Sequence, residues 1–219
     1  SEPFAKFVQH TGALISSRQA EAYLAGRTPD AAATAAALAR IRAVLATYVS
    51  PVRPDDILVT LAGMNAVAAG IAAVNDVQRP RGKRVWIQLG WLYVDSTRLF
   101  EKATDTRHVF VPDVTDLATV ERLLAQGDVA GVFTEIPNNP QLETADVLAL
   151  RRLCDRYGAK LVLDPSSVGL ASVDVLPHAD VVCSSLTKYA ASVGDVMAGM
   201  LAVNPARADA ATLLQTARA

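Results

Sequence analysis

The sequence lacks the features that mark several classes of protein. None of its apolar runs approaches the roughly 20 residues that a membrane-spanning helix requires. Lysine and arginine number 21 against 22 aspartates and glutamates, and the resulting net charge of −1 gives no indication of a nucleic-acid partner. The three histidines, His10, His108 and His178, do not have the spacing of metal ligands. We therefore predict no membrane, nucleic-acid or metal partner.

Cysteine and targeting signals are scarce as well. The only two cysteines, Cys154 and Cys183, stand in apolar surroundings. This is typical of buried free thiols in a cytoplasmic protein, and a single disulfide is the alternative. The first residues lack the basic stretch and apolar run of a signal peptide. No glycine fingerprint of dinucleotide binding follows a predicted strand, and there is no Gly-Lys-Ser/Thr phosphate loop.

Apolar runs that alternate with helical segments dominate what is present. Hydrophobic residues make up 51% of the 219 residues, enough for a sizeable core. The predicted strands are 57–61, 83–89, 108–111, 129–134, 160–164, 179–183 and 197–203. The predicted helices are 30–49, 63–74, 95–102, 115–126, 144–157 with Thr144 as its cap, and a last helix that Asn204-Pro205 opens. This alternation predicts an α/β fold, a mostly parallel seven-stranded sheet with helices on both faces.

Two charged residues follow successive strands of this sheet. Asp164 ends an apolar run, and Lys188 lies in a polar segment that we expect to be a loop, with the hydroxyls of Ser184, Ser185 and Thr187 close to it. Ligands of open parallel sheets bind at the carboxyl ends of the strands, so we expect Asp164 and Lys188 to face one crevice. A lysine in such a place can form an imine with an aldehyde. The alternatives are a solvated lysine and an aspartate that only caps the turn at Ser166.

Two further turns lie at strand ends. Ala62-Gly63-Met64-Asn65 opens a helix, where a glycine lets the backbone N–H groups approach an anion such as phosphate. Pro137-Asn138-Asn139-Pro140 forms a rigid turn after another strand and could present an amide to a ligand. Each segment read alone also fits an ordinary turn.

Four blocks of the sequence resemble the conserved blocks of one enzyme family. Leu186-Thr187-Lys188-Tyr189 with Gly194-Asp195-Val196-Met197-Ala198-Gly199 is similar to the family's lysine block. Glu135-Ile136-Pro137-Asn138-Asn139-Pro140 is similar to its Glu-x-Pro-x-Asn-Pro block. Gly63-Met64-Asn65-Ala66 resembles its phosphate turn, and Asp164 stands in the place of its aspartate. The family that the four blocks resemble is the Cys/Met-metabolism family of pyridoxal-phosphate enzymes, the group of cystathionine gamma-synthase and related lyases.

The resemblance implies a fold type I large domain that binds pyridoxal 5'-phosphate as a Schiff base on Lys188. In that scheme Lys188 also carries protons, Asp164 holds the pyridinium, and Asn139 contacts the ring oxygen. Ser185, Thr187 and the amides of Gly63 and Met64 hold the phosphate. Tyr93, counted with Lys188 as catalytic, covers the ring; Trp91 is the competing aromatic, and core packing is the alternative for both. The implied reaction is β- or γ-elimination, or γ-replacement, on sulfur amino acids or activated homoserine.

The resemblance has gaps, which affect the expected domain organisation. Residues 1–30 are expected to form an arm whose Arg18 reaches the phosphate of a neighbouring subunit in a homodimer or tetramer, although Ser16 replaces the family's usual tyrosine. A solvated surface arginine is the alternative. Residues 31–219 would be the large domain without the small C-terminal domain; we expect a fragment, and completion by a partner chain is the alternative. Ala62 and Pro165 also depart from the family. These departures motivate an alternative function, a scaffold or interaction module that has lost its chemistry.

Overall fold

Seven strands form one mixed sheet at the centre of the protein. This computed structural model describes residues 16–102, 107–191 and 196–219. The strands are β1 (Ile57–Thr60), β2 (Val85–Leu89), β3 (Arg107–Val111), β4 (Val129–Glu135), β5 (Lys160–Asp164), β6 (Val181–Ser185) and β7 (Gly199–Val203). Their spatial order is β1-β7-β6-β5-β4-β2-β3, and β7 runs antiparallel to both of its neighbours. The prediction of a mostly parallel seven-stranded sheet is confirmed.

Helices connect the strands. They are α1 (Ser17–Leu24), α2 (Ala31–Leu45), α3 (Gly63–Gln78), α4 (Val94–Lys102), α5 (Leu117–Leu124), α6 (Val147–Tyr157), α7 (Leu186–Tyr189) and α8 (Ala210–Arg218). Within the described ranges, no helix combines the length and the apolar character needed to cross a bilayer.

Several predicted boundaries are wrong, each for a local reason. The side chain of Asp146, not Thr144, caps α6 by accepting a hydrogen bond from the Ala149 amide. The last helix begins at Ala210 and not directly after Pro205. The segment that carries Lys188 is a helical turn and not a loop. Within the predicted arm, Ser16 caps α1 in a capping box with Gln19, and residues 1–15, including His10, lie outside the described residues.

Side chains of alternate residues along the central strands enter two separate apolar cores. Ile87 and Leu163 belong to one cluster, while Trp86 and Val162 belong to the other. Because successive side chains of a strand point to opposite faces, this division requires helices on both sides of the sheet. Both cysteines are buried and free, as one of the two alternatives predicted. Burial raises the pKa of the Cys183 thiol well above its usual value, so it has little thiolate character.

Charged side chains form ion pairs around the amino end of the central strand β5. Asp180 accepts hydrogen bonds from Arg151 (2.6 Å) and from the Leu161 amide (2.8 Å). Lys160 lies 3.0 Å from Asp209, which precedes α8. A buried carboxylate is tolerated when it is paired in this way. The ion pairs therefore hold the start of the last helix at the amino ends of the central strands. The carboxyl ends of β4, β5 and β6, on the opposite side of the sheet, remain accessible to a ligand.

Candidate functional site

A cavity of about 770 Å³ opens at the carboxyl ends of β4, β5 and β6. All but one of the predicted site residues line it, namely Gly63, Met64, Tyr93, Asn139, Asp164, Ser185, Thr187 and Lys188. The expectation that Asp164 and Lys188 face one crevice is therefore confirmed. The described residues contain no group of three or more histidines, cysteines and acidic residues that could hold a metal ion.

Asp164 is a buried carboxylate at the end of β5. The residue is 7% exposed, and its Oδ1 accepts a hydrogen bond from the Ser166 amide at 2.8 Å. The turn-capping interpretation is thus correct for one oxygen, and the residue lines the cavity as well. Burial raises the pKa of Asp164 to about 6, against the lowering effect of Ser166. A cation in the cavity would relieve the cost of ionising this group.

Glu135 is a cavity residue that the sequence interpretation did not assign to the site. It ends β4 directly opposite Asp164 in the strand register and is only 4% exposed. Its Oε1 accepts a hydrogen bond from the Tyr93 backbone N–H at 2.5 Å. Burial, and then the charge of Asp164, raise the pKa of Glu135 to about 8. The available signal was its place at the end of a fully buried strand, beside a turn already taken to face a ligand.

Lys188 is presented by α7, the single helical turn that follows β6. Hydrogen bonds hold this turn against the start of β7: the Leu186 amide donates to the Ala198 carbonyl at 2.9 Å, and Thr187 Oγ1 accepts from the Ala198 amide at 3.1 Å. The Lys188 side chain itself is exposed. The Gly194-Asp195 part of the lysine block lies outside the described residues.

The start of α3 lies against the end of β6 and closes another side of the cavity. A Cβ atom on Gly63 would come within 2.7 Å of Ser185 Cβ and 3.0 Å of Ser185 Cα, so only glycine fits this approach. Ala62 precedes the helix in an extended conformation, and its side chain makes no capping hydrogen bond. Uncapped N–H groups at a helix start attract anions. Ser166 Oγ accepts from the Ser185 amide at 2.7 Å and fixes this corner.

Substituting Gly63 by alanine tests the close approach. Because the new methyl group must displace the backbone of Ser185, we expect the free energy of unfolding to fall by about 1–3 kcal/mol, the usual cost of overpacking. Urea denaturation measures it. Gly70→Ala in the same helix is the control. Its Cβ would come within 2.9 Å of Cys183 Sγ and 3.5 Å of the Leu201 and Val181 side chains, so its one close contact is with a side-chain atom and not with backbone. Alanine also gains about 1 kcal/mol of helix propensity there. A Gly63→Ala protein as stable as the control would contradict the prediction.

The two neighbouring aromatic residues have different surroundings. Tyr93 lines the cavity and is 43% exposed, so core packing does not explain it. Trp91 is absent from the cavity lining and contacts Phe110 edge-on, with the ring centroids 5.2 Å apart. Of the two candidates for covering a ring, Tyr93 has the position for it.

The two neighbouring asparagines differ in the same way. Asn138 is fully buried, its Oδ1 accepts from the Glu143 amide at 2.9 Å, and its Nδ2 donates to Glu143 Oε2 at 3.2 Å. These bonds close a loop that presents Asn139 and Leu142 to the cavity. Leu142 has a φ of 59°, a conformation that is costly for a leucine. Asn138 thus holds the loop, and Asn139 is left to contact a ligand.

Arg18 is the one predicted site residue that does not line this cavity. It lies on α1, which has no buried residue, and its side chain is exposed. The structure of one chain therefore does not bring Arg18 to the cavity of its own subunit. Its contact with the phosphate of a neighbouring subunit stays a prediction.

Comparisons with known proteins agree with one another. The family model for Cys/Met metabolism PLP-dependent enzymes matches residues 53–217. The chain is 46% identical to the L-2-amino-4-chloropent-4-enoate dechlorinase/desaturase of Streptantibioticus cattleyicolor over 220 residues, which cover 96% of this chain and 44% of that protein. It is 37% identical to cystathionine gamma-synthase of Saccharomyces cerevisiae over 120 residues, which cover 54% of this chain and 19% of that protein.

The solved structures extend the same similarity to the fold. The cystathionine gamma synthase of Xanthomonas oryzae pv. oryzae, in complex with cystathionine, superimposes with a TM-score of 0.66 at 26% identity. The alignment covers 79% of this chain and 43% of that one. The chain spans less than half the length of these relatives.

Proposed function

The chain belongs to the family of Cys/Met metabolism PLP-dependent enzymes, and from this premise we propose that it removes the α proton of an amino acid and then expels or replaces a group further along the side chain. One observation supports this above all others. Asp164, Lys188 and the glycine-opened start of α3 line one cavity, although they are far apart in the sequence. Residues this far apart in the sequence are not expected to line one cavity by chance.

The residues around the cavity fit pyridoxal phosphate. Asp164 is a carboxyl group whose pKa burial raises to about 6, and a protonated ring nitrogen beside it would favour its ionised form. The uncapped helix start at Gly63 and Met64, with Ser185 and Thr187, suits the phosphate. Tyr93 would cover the ring face and Asn139 would contact the ring oxygen. When bound, the cofactor withdraws electrons from the substrate's α carbon and stabilises the negative charge left by proton loss.

Lys188 has two tasks in this proposal. Its Nζ would be the group that holds the cofactor in the cavity through the cofactor aldehyde. The same amine, when free, would accept the α proton of the substrate and return a proton further along the substrate. Hydrogen bonds between α7 and Ala198 fix the backbone from which the Lys188 side chain extends. A fixed backbone helps to bring the amine within hydrogen-bond distance of the substrate, which proton transfer requires.

The relatives favour chemistry at the γ carbon. Carbon 4 of 2-amino-4-chloropent-4-enoate, which the name of the Streptantibioticus relative gives as the chlorinated carbon, is the γ carbon of the amino acid. The yeast relative is named a gamma-synthase. We therefore propose γ-elimination or γ-replacement, with β-elimination as the lesser candidate. The substrates are amino acids that carry a sulfur group, an activated hydroxyl as in acylated homoserine, or a halogen at that carbon.

Covalent trapping tests the proposal. The chain is incubated with pyridoxal phosphate, reduced with borohydride and digested, and the peptides are analysed by mass spectrometry. We expect the cofactor on the peptide that contains Lys188, and release of a 2-oxo acid when acetylhomoserine or a γ-chloro amino acid is added. Absence of label, or label spread over surface lysines, would overturn the enzymatic proposal and leave the scaffold alternative.

A further inference from the structure

Glu135 occupies a position in the cavity that the proposed function leaves without a role. It is almost fully buried, it lines the cavity, and it stands opposite Asp164 on the neighbouring strand. The Ile136 amide donates to the Asp164 carbonyl at 2.8 Å, so the ends of β4 and β5 are joined at this point. A carboxyl group placed beside another one away from solvent is unfavourable unless it makes a specific contact.

That contact is with the backbone of Tyr93. The Tyr93 N–H donates to Glu135 Oε1 at 2.5 Å, across 42 residues of sequence. Tyr93 precedes α4 and is not part of a strand. Tyr93 is 43% exposed. Its other polar contacts, the Thr97 amide that donates to its carbonyl at 3.1 Å and the Asp95 side chain, belong to the following helix. The hydrogen bond to Glu135 is the one among these contacts that connects Tyr93 to β4, next to Asp164.

We propose that Glu135 is a positioning residue that fastens the Tyr93 backbone to the end of β4, beside Asp164, so that the aromatic face and the carboxylate of the cavity keep a fixed separation. The proposal rests on the proposed function, since it assigns Tyr93 to the ring face and Asp164 to the ring nitrogen of the same cofactor. A planar ring that must contact both groups binds well only if both are held in advance.

Two substitutions separate the fastening from a general structural role. Glu135→Gln keeps a side-chain oxygen that can accept the Tyr93 N–H bond, whereas Glu135→Ala removes it. A role in fastening predicts that glutamine rescues what alanine loses. Glu121→Gln is the matched control, because Glu121 is paired with Arg156 outside the cavity.

The first measurement needs no cofactor. Hydrogen exchange by mass spectrometry on the full chain reports the protection of the segment that contains Tyr93. We expect roughly 10-fold to 100-fold faster exchange of this segment in Glu135→Ala, as the loss of one strong hydrogen bond implies, and near-wild-type exchange in Glu135→Gln and Glu121→Gln. Unchanged exchange in Glu135→Ala, or equal acceleration by glutamine and alanine, would overturn the proposal.

The second measurement uses pyridoxal phosphate and follows binding by absorbance and visible circular dichroism, which reports how the ring is oriented. We expect Glu135→Ala to bind about 10-fold to 100-fold more weakly with an altered dichroism band, and Glu135→Gln to keep the band. If the wild-type chain binds no cofactor, the proposed function fails while the exchange result still decides the fastening. If the wild type binds and both variants keep affinity and band, the positioning role fails alone.

Discussion

Replacing Lys188 by alanine should abolish covalent attachment of pyridoxal phosphate. It should also lower the turnover of a γ-substituted amino acid by about 100-fold to 10,000-fold, the range that general acid–base catalysis supplies. Under the proposed function, the substitution removes both the amine that would hold the cofactor and the base that would take the α proton. Because the Lys188 side chain is exposed, the fold should be unaffected, with a change in unfolding free energy within about 0.5 kcal/mol.

Lys102→Ala provides the control for this experiment. Lys102 is also exposed, it lies at the end of α4, and it does not line the cavity. Borohydride trapping, a 2-oxo acid assay and thermal unfolding are run on all three proteins. Loss of label and turnover with Lys188→Ala, at unchanged stability, is the expected pattern. Turnover that survives in Lys188→Ala, or an equal loss in Lys102→Ala, would contradict the role of Lys188.

Glu135→Gln should make the cofactor-free protein more stable at alkaline pH, by about 3–4 kcal/mol at pH 8.5, and leave its stability almost unchanged near pH 5. Two buried carboxyl groups face each other at the ends of β4 and β5, so ionising Glu135 in the folded protein costs free energy. Glutamine resembles the protonated acid and never ionises. The substitution therefore removes the unfavourable charge and keeps the shape.

The sign follows from proton linkage. The pKa of Glu135 is raised from 4.5 to about 8, chiefly by burial and then by Asp164. In this interval the folded protein binds more protons than the unfolded chain, so its stability falls as the pH rises. Asp164, raised from 3.8 to about 6, acts in the same direction over a lower interval. The stabilising contribution of protonated Glu135 is complete below pH 4.5 and is lost above about pH 8.

Urea denaturation at pH 5 and pH 8.5 measures the effect. The quantity of interest is the difference between Glu135→Gln and wild type, because groups such as His108, whose pKa burial lowers, then cancel. Besides Asp164, the titratable groups that line the same cavity in the described part of the chain are the Tyr93 and Tyr189 phenols and Lys188, and both proteins contain them. Glu121→Gln should show no comparable pH dependence. If wild type and Glu135→Gln have parallel stability profiles, the raised pKa is not present in solution.

Predictions from the sequence were best where one strand or one block contained all the necessary information. β5 was predicted at its observed bounds because Lys160–Asp164 is apolar and ends in a carboxylate. Gly63, Asn139, Asp164 and Lys188 were assigned to one site from short blocks, and they line one cavity. The predicted cap of α6 was wrong because Thr144 and Asp146 are both residues that favour the N-cap position, and only the path of the backbone selects between them.

What the sequence determined by itself is the set of buried strands and the polar residues that end them, since hydrophobic patterning and turn chemistry act over a few residues. Tertiary structure alone decided the reversal of β7, the placement of Tyr93 but not Trp91 on the cavity, and the bond from Tyr93 to Glu135. Each of these depends on contacts between residues remote in the chain. Such contacts exist only once the packed sheet has brought the strand ends together, and no local pattern encodes their distances.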